Sequence, residues 1–127
     1  MRTPQRVEVS ADIGRFRPHG ECTLVEAVDL IGSAIAYCRS RRIDKLLIDV
    51  TGLVGVSIPS LVDRFLMAEE WAFKANGKVA VSMVVHPQYI HPEKFGVKVA
   101  TDLGLVLDVH TTEEEAFNWL SGASLDP

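Results

Sequence analysis

The feature that most restricts the fold of this chain is a run of three large apolar residues, Leu46-Leu47-Ile48, set between two stretches of helical periodicity. A run without alternation suits a strand covered on both faces, and hence one in the middle of a sheet. Before it, Leu24, Val28, Ile31, Ile35 and Cys38 recur at steps of four, three, four and three, which is one stripe of a helix. Thr23 with Glu26 three residues on predicts a capping box at the start of that helix. Arg39, Arg41 and Arg42 fall in its last turn, where cations oppose the negative end of the helix dipole. After the run, Leu61, Val62, Phe65, Leu66, Ala68 and Ala72 supply the apolar face of a second helix, with Pro59 in its first turn and Asn76-Gly77 as its stop. A buried strand flanked by helices calls for right-handed crossovers and a largely parallel sheet.

The remaining segments extend this pattern. Val7 and Val9 alternate with Arg6, Glu8 and Ser10, Ala11-Asp12 forms a turn, and Ile13 to Arg17 returns as the second arm of a hairpin that Pro18-His19-Gly20 breaks. Lys78 to Val85 reads as a strand, followed by a loop with two His-Pro steps. Phe95, Val99, Ala100 and Leu103 mark a third helix ended by Gly104, and Leu105 to Val109 a further strand. Thr111 or Thr112 caps a final helix through Glu114 or Glu115, with Ala116, Phe117 and Leu120 on its buried side. The expected fold is α/β, in the order ββαβαβαβα, with a five-stranded mixed, mostly parallel sheet and four helices. At 127 residues and 47% apolar content, the chain suits a single domain over 1–127, with an ordered core of about 6–121.

Charge and cysteine content remove several classes of function. Thirteen Lys plus Arg against seventeen Asp plus Glu give a net charge of −4, which supplies no electrostatic reason to expect nucleic acid or an anionic membrane surface. The apolar runs fall far short of the ~20 residues that span a bilayer, and Met1 to Gln5 shows no signal-peptide pattern, so the expected location is the cytoplasm. Cys22 and Cys38 are too few for a disulfide framework and are not spaced as a CxxC pair; both read as reduced packing residues.

Three segments carry a family likeness: Gly20-Glu21-Cys22-Thr23 before the first helix, Leu46-Leu47-Ile48-Asp49-Val50-Thr51-Gly52 at the central strand, and Glu115-Ala116-Phe117-Asn118-Trp119-Leu120 near the end. In this order they resemble the STAS superfamily, and more closely its SpoIIAA-like branch of anti-sigma-factor antagonists, which is related in fold to CRAL-TRIO lipid-binding domains. In sigma-regulating members a partner kinase phosphorylates a serine in an Asp-Ser-Ser-Gly stretch after the central strand. The matching positions here, counted from Asp49, are Ser57, Ile58, Pro59 and Ser60, so the phosphorylatable position carries a proline without a hydroxyl. The resemblance therefore implies a regulatory module without the kinase switch. The segment still reads as a partner- or anion-binding loop containing Asp49, Thr51, Gly52, Ser57 and Ser60, because a helix N-terminus suits an anion. Ser57 or Ile58 reads as the cap of the Pro-initiated helix.

No constellation demands catalysis. Asp49 ends the central parallel strand, where α/β sheets place ligands, yet its carboxylate is better used on loop N–H groups. Asp63, Glu69 and Glu70 read as solvated positions of the second helix. His19, His86, His91 and His110 all fall in expected loops but form no HxH or HxxxH pair, so neither a metal nor another cofactor is expected. Phosphate-loop, dinucleotide and nucleophile-elbow motifs do not occur. Trp71 and Phe73 flank Ala72 and cannot both point inward, which makes them interface candidates. The first expectation is a non-enzymatic regulatory or interaction module that docks a partner protein, or a second copy as a homodimer, through the loop 51–60 and the second helix. The second is a domain holding a small apolar ligand between the second and third helices and the sheet. An enzyme using Asp49 with a loop histidine ranks last.

Overall fold

A computed structural model describes residues 6–125; the segment Met1 to Gln5, on which the signal-peptide reading rests, lies outside them, as do residues 126–127. Strands β1 (Glu8–Ser10) and β2 (Ile13–Phe16) form an antiparallel hairpin. Ala11 and Asp12 turn it with φ of +53° and +66°, the left-handed conformation that matches the twist of paired strands. A crossover through α1 (Leu24–Ser40) leads to β4 (Lys45–Asp49), which lies parallel to β2 with Gly14 opposite Leu46 and Phe16 opposite Ile48. A second crossover through α2 (Leu61–Ala75) places β6 (Ala80–Val84) on the other side of β4. A third, through α3 (Phe95–Asp102), adds β7 (Leu107–His110), and α4 (Glu113–Ser121) follows. The sheet order is β1-β2-β4-β6-β7, one antiparallel pair and three parallel ones.

The Leu46-Leu47-Ile48 run occupies the centre of this sheet, and period two sends its side chains to opposite faces. Leu46 and Ile48 join Ile31, Ile35, Trp71 and Val81 in a core beneath α1, α2 and α3. Leu47 joins Ala80, Val84, Ala116 and Leu120 in a second core beneath α4. Fully buried Ser82 faces α4 as well, and its hydroxyl donates to the Ala116 carbonyl at 3.0 Å, so its polarity is satisfied across the layer.

Four expectations change. The break at Pro18-His19-Gly20 and the loop after β4 instead form two short strands, β3 (His19–Glu21) and β5 (Gly52–Val54), which pair in parallel as a separate two-stranded sheet. The second helix does not begin at Pro59: Ser60 is its N-cap, in place of Ser57 or Ile58. Asp63 is not simply solvated. Its carboxylate accepts from the Ser60 N–H at 2.9 Å while the Ser60 hydroxyl accepts from the Asp63 N–H at 3.0 Å, a reciprocal capping box. Finally, Leu61, Val62, Phe65 and Leu66 do not face the core; they are exposed, and Ala68, Trp71 and Ala75 are the buried residues of α2. The Thr23–Glu26 capping box at α1 stands as read.

Candidate functional site

At the C-terminal end of β4 the chain turns on Asp49, whose Oδ1 accepts from the Thr51 N–H at 2.9 Å and from the Thr51 hydroxyl at 2.6 Å. This closes an Asx-type turn that leaves the carboxylate partly engaged by its own loop. Gly52 follows in β5, where a Cβ would stand 3.1 Å from the Pro18 carbonyl oxygen and 3.2 Å from the His19 Cβ. A side chain here would require the Pro18 carbonyl or His19 to give way by a few tenths of an ångström, so glycine eases the close approach of β5 to β3. His86, just past β6, places Nε2 3.2 Å from the Thr51 carbonyl, and the Tyr89 hydroxyl donates to the Val56 carbonyl. Asp49, Thr51 and Gly52 thus come together in one braced turn. Ser57 is exposed, and Ser60 lies beyond it at the start of α2 with its hydroxyl already engaged in the cap. The Asp63 carboxylate occupies the positive end of α2 that an external anion would seek.

Behind this loop lies a cavity of about 130 Å³ between α1, α2, α3 and the sheet. Val28 and Ile31 of α1, Met67 and Trp71 of α2, and Met83 of β6 contribute to its wall, and Leu53, Val56 and Pro59 bring the loop to its edge. The Trp71 indole N–H donates to the Val28 carbonyl at 3.2 Å, pinning α2 to α1 beside the space. Trp71 is therefore 3% exposed and serves as cavity wall, which removes it as an interface candidate; Phe73, 77% exposed, keeps that position. The contrast follows from helix geometry, since two residues turn the chain about 200° around the axis. Arg64, His86, His91 and Lys94 also line the cavity, and none of the four is fully buried.

On α2 the side opposite the core presents Leu61, Val62, Phe65, Leu66 and Phe73 to solvent. Among the described residues, seven of the eleven exposed large hydrophobics lie between Val54 and Phe73, so exposed apolar surface is concentrated on one segment rather than scattered. The sequence contained this face but did not show that it pointed outward.

One ion pair adjoins the turn at Asp49, whose carboxyl is also a hydrogen-bond partner of Glu113. Arg17 grips Glu113 through two bonds of 2.8 and 2.7 Å, and this guanidinium holds the Glu113 carboxyl down at about 2. Lys94 Nζ meets Asp108 Oδ1 at 2.7 Å. His110 lies at the end of β7 with its ring 5.8 Å from that of Trp119, and burial lowers its pKa. His19 is in β3 rather than a loop. Among the described residues no three His, Cys, Asp or Glu side chains are grouped as a metal site would require. Cys22 and Cys38 are both buried, and burial pushes the Cys38 thiol up to about 11. No helix of the described residues is long and apolar enough to cross a membrane.

No family model and no curated protein sequence matches the chain. Solved structures do. The anti-sigma factor antagonist SpoIIAA in its unphosphorylated form superposes with a TM-score of 0.51 at 14% identity, over 94% of this chain and all of that one. The fold is SpoIIAA-like. An anti-sigma factor antagonist from Mycobacterium paratuberculosis aligns with a TM-score of 0.57 at 16% identity, over 93% of each chain. An uncharacterised protein with a SpoIIAA-like fold from Shewanella loihica aligns with a TM-score of 0.51 at 18% identity, over 92% of each. The SpoIIAA-like arrangement matches the mixed five-stranded sheet and the four helices of this chain.

Proposed function

We propose that the protein is a non-enzymatic regulatory module that works by docking the loop 51–60 and the outer face of α2 onto a partner protein or a second copy of itself. The observation that carries this reading is the α2 helix, which is apolar on two sides. One side, with Ala68, Trp71 and Ala75, is covered by the core, while the other, with Leu61, Val62, Phe65 and Leu66, is bare. Exposed apolar residues gathered on one helix, rather than scattered singly over the surface, mark an interaction site. Two solved structures that share the fold are anti-sigma factor antagonists, proteins named for their action against another protein. Pro59, which the family resemblance matches to the phosphorylatable serine by counting from Asp49, and the engaged Ser60 hydroxyl support a reading of docking without a phosphorylation switch.

Leu66→Lys tests this, because the side chain is 54% exposed and its replacement leaves the core untouched. Light scattering on the wild type at high concentration shows whether the occupant is a second copy, as a mass twice the 14.0 kDa of the chain. If the wild type is a monomer, chemical cross-linking in native extract identifies the partner. Leu66→Lys should keep its fold by circular dichroism and lose the association; retention of every association by a folded variant rules out this face. A second reading has its own observation: the cavity behind α2 has an apolar interior and is the place for a small apolar ligand.

A further inference from the structure

The ionisable groups around the cavity are not drawn evenly from the chain. The protein is acidic overall, with seventeen Asp plus Glu against thirteen Lys plus Arg, yet among the described residues no carboxylate lines the cavity, while Arg64, Lys94, His86 and His91 do. Their exposure sorts them. The deeply buried lining residues, such as Ile31, Trp71, Met83 and Leu107, are apolar, whereas the four basic ones keep contact with solvent and mark the mouth.

The basic groups differ in how far they are already committed. Lys94 is paired with Asp108 at 2.7 Å. His86 Nε2 is taken up by the Thr51 carbonyl at 3.2 Å. His91 accepts from the Glu93 N–H through Nδ1 at 3.0 Å, which leaves Nε2–H as its free donor. Arg64 gives one Nη1 bond of 3.0 Å to the Tyr89 carbonyl and has no carboxylate partner among the described residues. That bond holds the guanidinium at the mouth and leaves most of its five donors unspent. A fixed, partly buried guanidinium without a counter-ion beside an apolar cavity is the complement of an anion attached to an apolar body.

Resting on the ligand reading given above, we infer that this cavity binds a small amphiphilic anion, of which a medium-chain carboxylate is the simplest. Its apolar body lies against Val28, Ile31, Met67 and Trp71, and its head meets Arg64, with His91 as a second donor. The volume sets the size. A dry cavity of ~150 Å³ accommodates benzene, so about 130 Å³ takes one ring or about six carbons of a medium chain, whose remaining carbons reach the open side, and excludes a full-length acyl chain.

Sodium octanoate and 1-octanol separate the two parts of the inference, because they share the tail and differ in the head. Calorimetric titration of the full chain should give octanoate at least ~10-fold the affinity of octanol, the scale of a charge-assisted hydrogen-bonded pair. Arg64→Met should bring octanoate down to the octanol level, and Val28→Phe, which fills the cavity, should abolish both. In the wild type the Trp71 indole N–H resonance, identified by its loss in Trp71→Phe, should shift with octanoate; this holds even if Val28→Phe fails to fold. Equal binding of the two probes, unchanged by Arg64→Met but accompanied by the Trp71 shift, overturns the anionic head and leaves the ligand reading standing. Absence of binding and of any shift at millimolar probe overturns both. Octanoate binding without a Trp71 shift places the probe elsewhere and also overturns the inference.

Discussion

Trp71 and Phe73 stand two residues apart on one helix in opposite environments, and replacing each tests the packing of α2 directly. Trp71→Phe keeps an aromatic ring but removes the indole N–H that donates to Val28 at 3.2 Å. A buried hydrogen bond of this kind contributes about 1 kcal/mol net. The smaller ring also removes roughly 40 Å³ of side chain beside an existing cavity, and at ~24 cal/mol per Å³ of added void this costs about 1 kcal/mol more. The expected loss is therefore about 2 kcal/mol, a large fraction of the stability of a chain this size. Phe73→Ala removes a larger group but one that is 77% exposed, and should change stability by no more than about 0.5 kcal/mol. Urea unfolding followed by far-ultraviolet circular dichroism reads both values from the midpoint at constant slope. A Phe73→Ala variant less stable than Trp71→Phe, or a Trp71→Phe loss below about 0.5 kcal/mol, refutes the assignment of inner and outer faces.

Three further outcomes are expected. Gly52→Ala presses a methyl group against the Pro18 carbonyl and His19 Cβ, so it should cost about 1–3 kcal/mol; a neutral effect in the same unfolding assay would show that β3 and β5 separate freely. The Glu113 carboxyl, held at about 2 by Arg17 against an ordinary 4.5, contributes stability above pH 4.5 that is lost as the pH falls towards 2. Because Arg17 is about half exposed, that contribution is at most about 1 kcal/mol, and Arg17→Ala should flatten the acid limb of the stability profile by that amount; an unchanged limb excludes the pair as its source. Buried Cys22 and Cys38, the latter with its thiol at about 11, should resist a chromogenic disulfide reagent at pH 8 and react when urea is added. A fast equivalent in the native protein contradicts that burial.

The main sheet was legible because Leu46-Leu47-Ile48 and the helical stripes around it have different periods, and only one layered arrangement serves both. The Thr23–Glu26 cap was legible for a similar local reason. Three features were not. The β3–β5 pair has three residues on each side, too short for alternation, and depends on a close approach at Gly52 between segments far apart in the chain. The start of α2 is hard to read because Pro59 suits a first helical turn, while the cap that decides the matter uses Asp63 where the usual pattern has Glu or Gln. The orientation of α2 was hidden because it carries two apolar stripes, and periodicity does not say which one meets the sheet. The spacing of Phe65 suits an inward position, but Ala68, Trp71 and Ala75 are the residues that meet the core. Of the site, the turn at Asp49, Thr51 and Gly52 was accessible from the sequence. The cavity was not, since Arg64, His91 and Trp71 meet only through tertiary packing.

The two-sided apolar character of α2 has a thermodynamic consequence. One helix separates the cavity from the exposed apolar face, with Met67 and Trp71 on one side and Phe65 and Leu66 on the other. If occupancy of the cavity changes the position of α2, the free energy of any complex formed on that face changes with it, and linkage requires such a complex to alter ligand affinity by the same factor. Such a helix would act as a diaphragm, registering the chemistry inside the domain as a difference in what adheres to its surface.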